Sequence, residues 1–87
     1  MYMKYLKLVK SEMISAGTKE ASLVDTHGLM ARLRVVSGEL YIAGEEDVAV
    51  TSCAVLSAGQ EISFVGAARL LAKGSAAELS VLYFDKV

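Results

Sequence analysis

The spacing of the glycines constrains this fold more than any other feature of the sequence. Successive glycines are separated by intervals of 11, 10, 6, 15, 7 and 8 residues, and most lie between short runs in which apolar and polar side chains alternate. Glycine readily forms tight turns, and alternation with a period of two is the pattern of a half-buried strand. This spacing predicts an all-β fold, a small antiparallel β-sandwich or barrel, jelly-roll-like, of about six to eight short strands.

The clearest alternation runs from Leu29 to Val36. Its two faces carry, respectively, Leu29, Ala31, Leu33 and Val35, and Met30, Arg32, Arg34 and Val36. Because the first set is entirely apolar and the second contains both arginines, we expect the first set to face the core and the second to face outward.

Weaker alternations predict the other strands. They cover residues 2–10, 20–26, 39–43, 48–55, 61–65, 69–72 and 78–84. A hairpin is predicted at Ser37–Gly38, and turns at His27–Gly28 and in the Leu56–Phe64 stretch. Both faces of the last strand are apolar, so it should be central in the sheet. We expect one domain over residues 1–87, with residues 1–17 as an N-terminal arm or edge strand.

Composition favours self-association. Of the 87 residues, 54% are hydrophobic, and a domain this short buries only about 60 to 65% of the surface of its unfolded chain. Some apolar side chains must therefore stay on the surface, where they are typical of subunit contacts. We expect a homo-oligomer.

Charge and hydropathy argue against several other classes of protein. The net charge is −1 and the basic residues are scattered, which does not favour nucleic-acid binding. No apolar run approaches the roughly 18 to 20 residues of a membrane span, so no membrane partner is expected. Cys53 is the single cysteine and cannot form an internal disulfide, which suits a reducing compartment.

The sequence contains no recognisable catalytic constellation. Asp25 could orient His27, but the serines are too common for one to be singled out as a nucleophile, and a polar turn histidine is the expected role of His27. Cys53 is expected to be a buried small hydrophobe within a strand. The acidic run Glu45–Asp47 is interpreted as a solvated turn, with a hard cation such as calcium as the alternative. We therefore predict a protein that is not an enzyme, with no catalytic residue, metal site or cofactor.

The outward face of the 29–36 strand is the predicted contact surface. The predicted partner-contact residues are Met30, Arg32, Arg34, Val36 and Tyr41. Arginines among apolar side chains could bind carboxylates or phosphates of a partner in bidentate fashion. They could equally be solubilising charges, and the sequence leaves both readings open.

The second half of the chain resembles a known class of small domain. The resemblance rests on five segments: Glu-Leu-Tyr-Ile-Ala-Gly at 39–44, Val-Ala-Val-Thr-Ser at 48–52, Leu-Ser-Ala-Gly-Gln-Glu-Ile-Ser-Phe at 56–64, Ala-Arg-Leu-Leu-Ala at 68–72 and Ala-Glu-Leu-Ser-Val-Leu at 77–82. Their order is similar to that in the small β-sandwich and β-barrel modules of tailed-bacteriophage virions. The likeness covers about half the chain, and residues 1–38 lie outside it.

The resemblance implies a structural role. Such modules serve as capsid decorations, head fibres or tail components, usually as trimers or larger oligomers, and they are not catalytic. The expectation is thus a phage virion protein that oligomerises and docks on other virion proteins; the sequence does not choose between capsid, head fibre and tail. The alternative is a small cupin-like or carbohydrate-binding barrel with a ligand in its interior, against which the single His27 and the absence of tryptophan weigh.

Overall fold

The computed structural model describes residues 5–86, which form antiparallel strands and one short 3-10 turn, with no α-helix among them. The elements are β1 (Tyr5–Ala16), β2 (Ser22–Ser37), β3 (Glu39–Gly44), the 3-10 turn (Val50–Ser52), β4 (Ala54–Ser57), β5 (Glu61–Ala72) and β6 (Ala77–Lys86). These six strands form one sheet in the order β1-β6-β2-β5-β3-β4. The predicted all-β antiparallel fold is confirmed.

The sheet bends where β2 and β5 cross its middle. Pairing between them shifts between Asp25 and Met30, and within that interval His27 and Gly28 have positive φ values of 50° and 87°. On β5 the matching position is Gly66, with φ 101°. Thr26 is buried at the bend, and its Oγ1 accepts a hydrogen bond of 2.8 Å from the Gly66 N–H.

The bend folds the sheet into two layers. A straight strand of the length of β5 would span about 40 Å. Yet both ends of β5 are bonded to one short stretch of chain. The Val35 N–H donates to the carbonyl of Gln60, just before β5, and the Lys73 N–H, just after β5, donates to the carbonyl of Glu39. Because Val35 and Glu39 are only four positions apart, β5 must bend. Layer 1 therefore contains β1, β6, the second half of β2 and the first half of β5. Layer 2 contains the first half of β2, the second half of β5, β3 and β4.

The core lies between the two layers. Its fully buried large aliphatic side chains are Leu33, Val35, Leu40, Leu70, Leu79 and Val81. They alternate with outward-facing residues along each strand, as the pleat requires. Burial of Ala31, Leu33 and Val35 confirms the predicted core face of β2, while Leu29, beside the bend, is only partly buried.

In two places, two neighbouring predicted strands form one continuous strand. The 20–26 and 29–36 strands are both parts of β2, and the 61–65 and 69–72 strands are both parts of β5. The intervening glycines bend the strands without ending them, because β2 and β5 pair on both sides of the bend. The predicted hairpin at Ser37–Gly38 is also wrong: β3 pairs with β4 and β5, and β2 pairs with β5 and β6.

The predicted strand over residues 48–55 is wrong as well. This segment contains Val48, which is 97% exposed, then the 3-10 turn, and only its last two residues belong to β4. The free side of β3 is taken by β4, so the preceding residues have no strand to pair with, and the strand preference of Val and Thr depends on such a partner. Cys53 accordingly lies half-buried between the turn and β4, not within a strand.

The two ends of the described chain pair at one side of layer 1. β1 extends to Ala16, beyond the predicted end at residue 10, and residues 2–4 lie outside the described residues. It forms the edge of the sheet and pairs with β6, with Tyr5 opposite Lys86. β6 lies between β1 and β2, which confirms the prediction of a central last strand.

Candidate interaction surface

Four apolar side chains form a continuous row across the outer face of layer 1. Leu8, Phe84, Met30 and Val65 are cross-strand neighbours on β1, β6, β2 and β5. Adjacent strands are about 4.8 Å apart, so this apolar row crosses about 15 Å. Leu8 and Val65 are 55% and 56% exposed, and Phe84 and Met30 are half-buried. A continuous exposed apolar surface of this kind is typical of contact with another chain.

Two arginines extend the outer face beside the apolar row. The guanidinium carbon of Arg32 lies 5.4 Å from the centroid of the Phe84 ring, in the arrangement of a cation–π contact. Arg34, two residues further along β2, lies opposite Glu61 of β5. Both arginines are exposed, and neither forms an ion pair within residues 5–86. Their charged groups remain available to a partner.

The structure brings four of the five predicted contact residues together and separates the fifth. The four on the outer face of β2 are Met30, Arg32, Arg34 and Val36. Tyr41 lies opposite Leu71 in layer 2, with the Lys73 Nζ 5.8 Å from its ring centroid. Because the two layers face away from each other across the core, Tyr41 lies on the opposite side of the molecule from the arginines.

Sequence reasoning missed most of the apolar row. The alternation predicts strands at Leu8 and Val65 without indicating a contact surface there, and it predicts that Phe84 belongs to a central strand. The register between β1 and β6 shifts between Leu8 and Lys10, and this bulge hides the alternation of β1. The apolar second face of β6, carrying Leu82 and Phe84, was the available signal.

A cavity of about 590 Å³ opens between the layers at the side opposite β1. Its walls include Ile62 and Phe64 from layer 1 and Ile42 and Ala68 from layer 2, and the acidic run Glu45–Asp47 lies at its rim. The first half of β5 pairs with β2 on one side, whereas β3 pairs with its second half. The cavity forms because no strand within residues 5–86 covers the other edge of the first half of β5. Its volume is large enough for the ligand that a cupin-like or carbohydrate-binding barrel would hold. None of the lining residues is tyrosine or histidine.

The acidic run is held by local contacts. Asp47 Oδ2 accepts a hydrogen bond of 2.7 Å from the Gly44 N–H at the end of β3. The Arg69 guanidinium donates to the carbonyl oxygens of Gly44 and Asp47. These contacts fix the corner after β3 and leave the side chains of Glu45 and Glu46 exposed.

The candidate chemical residues are not assembled into a reactive site. The backbone N–H of His27 donates to Asp25 Oδ1 at 2.9 Å, while the two side chains are 3.8 Å apart and the imidazole is 82% exposed. Partial burial and the Asp47 carboxylate raise the pKa of the Cys53 thiol, which disfavours the nucleophilic thiolate. Within the described residues, no three His, Cys, Asp or Glu side chains are placed to hold a metal ion.

The described part of the chain also contains no helix long and apolar enough to cross a membrane.

Comparison with known proteins gives a likeness of fold alone. No protein-family model matches the chain, and no curated protein matches it. Among solved structures, an HTH_3 family transcriptional regulator from Vibrio cholerae is similar, with a TM-score of 0.68 and 15% sequence identity. The likeness covers 86% of this chain and 42% of the regulator chain. The same arrangement of strands therefore occurs as part of a longer protein.

Proposed function

We propose that this chain is a non-enzymatic assembly module that associates with copies of itself through the outer face of layer 1. The apolar row is the observation that carries the proposal. Its four side chains come from four adjacent strands, so it is a built surface of the folded sheet and not an isolated apolar residue. Contact with another copy removes the exposed parts of these Leu, Met, Phe and Val side chains from water, which stabilises the contact by roughly 25 cal/mol per Å² of apolar surface buried.

The charges beside the row fit a second copy of the same chain. Arg32 and Arg34 lie on β2, while Glu61 and Glu78 lie on the neighbouring strands β5 and β6. A face that carries both signs can place its arginines against the carboxylates of a neighbouring copy in a head-to-tail contact, and such contacts can close into a ring of three or more copies. We expect a trimer or larger assembly, as in the phage modules that the sequence resembles.

We further propose that the assembled module is a structural component of a tailed-phage particle and docks on other virion proteins. The sequence resemblance over residues 39–82 supports this setting. The fold itself, shared with 42% of a longer regulator chain, supports the broader idea of a module that works as part of something larger.

The oligomeric state tests the assembly proposal. Light scattering during size-exclusion chromatography should give the mass of a trimer or larger at micromolar concentration. Val65→Asp places a charge in the apolar row, and contact between copies would then bury an unpaired carboxylate. We expect the dissociation constant of the assembly to rise at least tenfold and the measured mass to shift toward that of the monomer.

Leu23→Asp is the matched control. Leu23 is 65% exposed but lies opposite Arg69 in layer 2, so the same change there should leave the mass unaltered. Circular dichroism confirms that both variants are folded. A monomeric wild-type protein, or equal masses for wild type and Val65→Asp, would contradict the proposal.

A further inference from the structure

One side of the core is left unfilled. Ile62 and Phe64 point toward the core, since their cross-strand partners Leu33 and Ala31 are fully buried, yet both remain only half-buried. The first half of β5 is an edge of layer 1 at this point, so no further strand closes the gap above β3 and β4. The resulting cavity of about 590 Å³ lies within the roughly 300 to 1,000 Å³ that small-molecule sites occupy.

The walls of the cavity are apolar. They consist mainly of aliphatic side chains and one aromatic ring: Ile42, Ala54, Ile62, Phe64, Ala67 and Ala68. Binding of an alkyl chain against this wall is favourable, because the apolar surfaces of the wall and of the chain are both removed from water. The walls offer no cluster of hydroxyl or amide side chains for the hydrogen bonds of a sugar.

The rim sets the sign of the charge that an occupant can carry. The charged residues that line the cavity are Glu45, Glu46 and Asp47, all acidic. Asp47 is engaged with the Gly44 N–H, and Arg69 contacts backbone carbonyls of the same corner. If the positive charge of Arg69 neutralises one of the three carboxylates, the rim still carries a net negative charge, because Glu45 and Glu46 are both exposed.

We infer that this cavity binds a small amphiphile in which an ammonium group is carried on an alkyl chain. The chain lies against Ile62 and Phe64, and the ammonium group lies at the rim beside Glu45 and Glu46. This site meets the apolar row at one residue, because Val65 belongs to the row and also lines the cavity, whereas Ile62 and Phe64 lie on the inner face of layer 1.

Binding of decylammonium tests the inference. Titration of the full chain, followed by two-dimensional NMR of backbone amides, should give saturable shifts at Ile42 and Ala68, which line the cavity, and little change at Arg32 and Leu82 on the outer face. Decanoate has the same tail with the opposite charge and should bind at least tenfold more weakly. Equal affinity for the two probes, no saturable binding of decylammonium, or shifts confined to the outer face would overturn the inference.

Paired variants test the two parts of the site. Glu45→Gln with Glu46→Gln should weaken decylammonium binding about fivefold, since an exposed opposite-charge pair contributes a factor of up to about five. Glu20→Gln with Glu39→Gln removes the same charge elsewhere on the surface and should change the affinity less than twofold. If both double variants have the same affinity, the rim carboxylates do not recognise the ligand and the inference fails.

Ala54→Phe tests the apolar part. Ala54 is exposed and lines the cavity, so a larger ring there occupies the space of the alkyl chain without entering the closed core. Binding should fall at least tenfold while the NMR spectrum stays folded. Unchanged affinity would place the ligand elsewhere and refute the cavity as its site.

Discussion

Thr26 is the buried side chain that contacts the backbone of β5 at the bend. Its side chain is 1% exposed, and its hydroxyl oxygen accepts the hydrogen bond of the Gly66 N–H. The backbone of β5 turns at Gly66, so this N–H lacks the regular ladder partner that an unbent strand would give it. A buried N–H without a partner costs about 1 to 3 kcal/mol.

Thr26→Val should therefore lower the free energy of unfolding by about 1 to 3 kcal/mol, because valine keeps the shape and removes the acceptor. Urea denaturation measures the change. Thr51→Val, at an exposed position in the 3-10 turn, is the control and should stay within about 0.5 kcal/mol of wild type. Equal stabilities for the two variants would show that the Thr26 hydroxyl does not support the bend.

Tyr83 links the edge strand to the core through its hydroxyl group. The ring is 4% exposed, and the hydroxyl donates a hydrogen bond of 2.8 Å to Glu12 Oε1 on β1. Burial, the hydrogen bond and the charge of Glu12 raise the pKa of Tyr83 from 10.0 to about 12. The folded state thus holds this proton more tightly than the unfolded state. The resulting stabilisation is complete below pH 10 and is lost as the pH rises through 12.

Tyr83→Phe should remove this part of the alkaline destabilisation, which amounts to at most about 3 kcal/mol between pH 10 and 12. The variant should also be about 1 kcal/mol less stable at pH 7, because the hydrogen bond to Glu12 is lost. Chemical denaturation across the pH range measures both effects. Tyr41→Phe, in layer 2, should keep the wild-type pH dependence, and the same flattening in both variants would argue against the assignment to Tyr83.

The bent strand β5 shows which features of the fold can be predicted from the sequence and which cannot. Alternation located the inward and outward faces of β2 correctly, because the apolar periodicity is local. The glycines predict the wrong strand ends, since β2 and β5 continue through Gly28 and Gly66. Whether a glycine bends a strand or ends it depends on whether pairing resumes beyond it, and that is decided by a partner strand about 40 residues away in sequence.

The apolar row, too, could be predicted only in part, because it depends on which strands pair. Its residues, at positions 8, 30, 65 and 84, meet only after the register of three strand pairs is known. Met30 could be predicted from its own strand. Leu8 could not, because the bulge in β1 breaks the local alternation that would have shown its face.

Gly66→Ala tests the bend itself. The glycine has φ 101°, where a side chain is strained although an added Cβ would meet no atom within 4 Å. We expect a loss of about 1 to 2 kcal/mol in the free energy of unfolding, from backbone strain alone. Gly17→Ala is the control, because its Cβ also meets open space but its φ is not positive. If the two substitutions have equal effects, the conformation of Gly66 is not what the bend requires.

The outer faces of the two layers differ in how their arginines are engaged. Layer 1 carries the apolar row and two arginines that form no ion pair within residues 5–86, whereas in layer 2 the Arg69 side chain is held by backbone carbonyls. Assembly of the copies, and with it the proposed docking of the assembled module on a virion surface, should therefore depend on layer 1.

Arg32→Glu with Arg34→Glu should abolish co-sedimentation of the protein with phage particles that lack it, since both charges reverse where a partner's carboxylates would bind. Lys19→Glu with Lys73→Glu makes the same change in net charge at exposed positions away from this face and should co-sediment like wild type. Undiminished co-sedimentation of the arginine variant would show that the assembled module does not depend on the arginines of layer 1.

The pairing of Tyr5 with Lys86 has a consequence for how this fold can be built into a longer chain. Directly opposed residues of adjacent strands are about 5 Å apart, so the backbone enters and leaves the sheet at one point. Both strand ends also lie only a few residues from Leu8 and Phe84. The fold can thus be carried as an insert on the surface of a host protein, joined by two short connections. A host attached there would stand at the margin of the apolar row and control which neighbour can reach it.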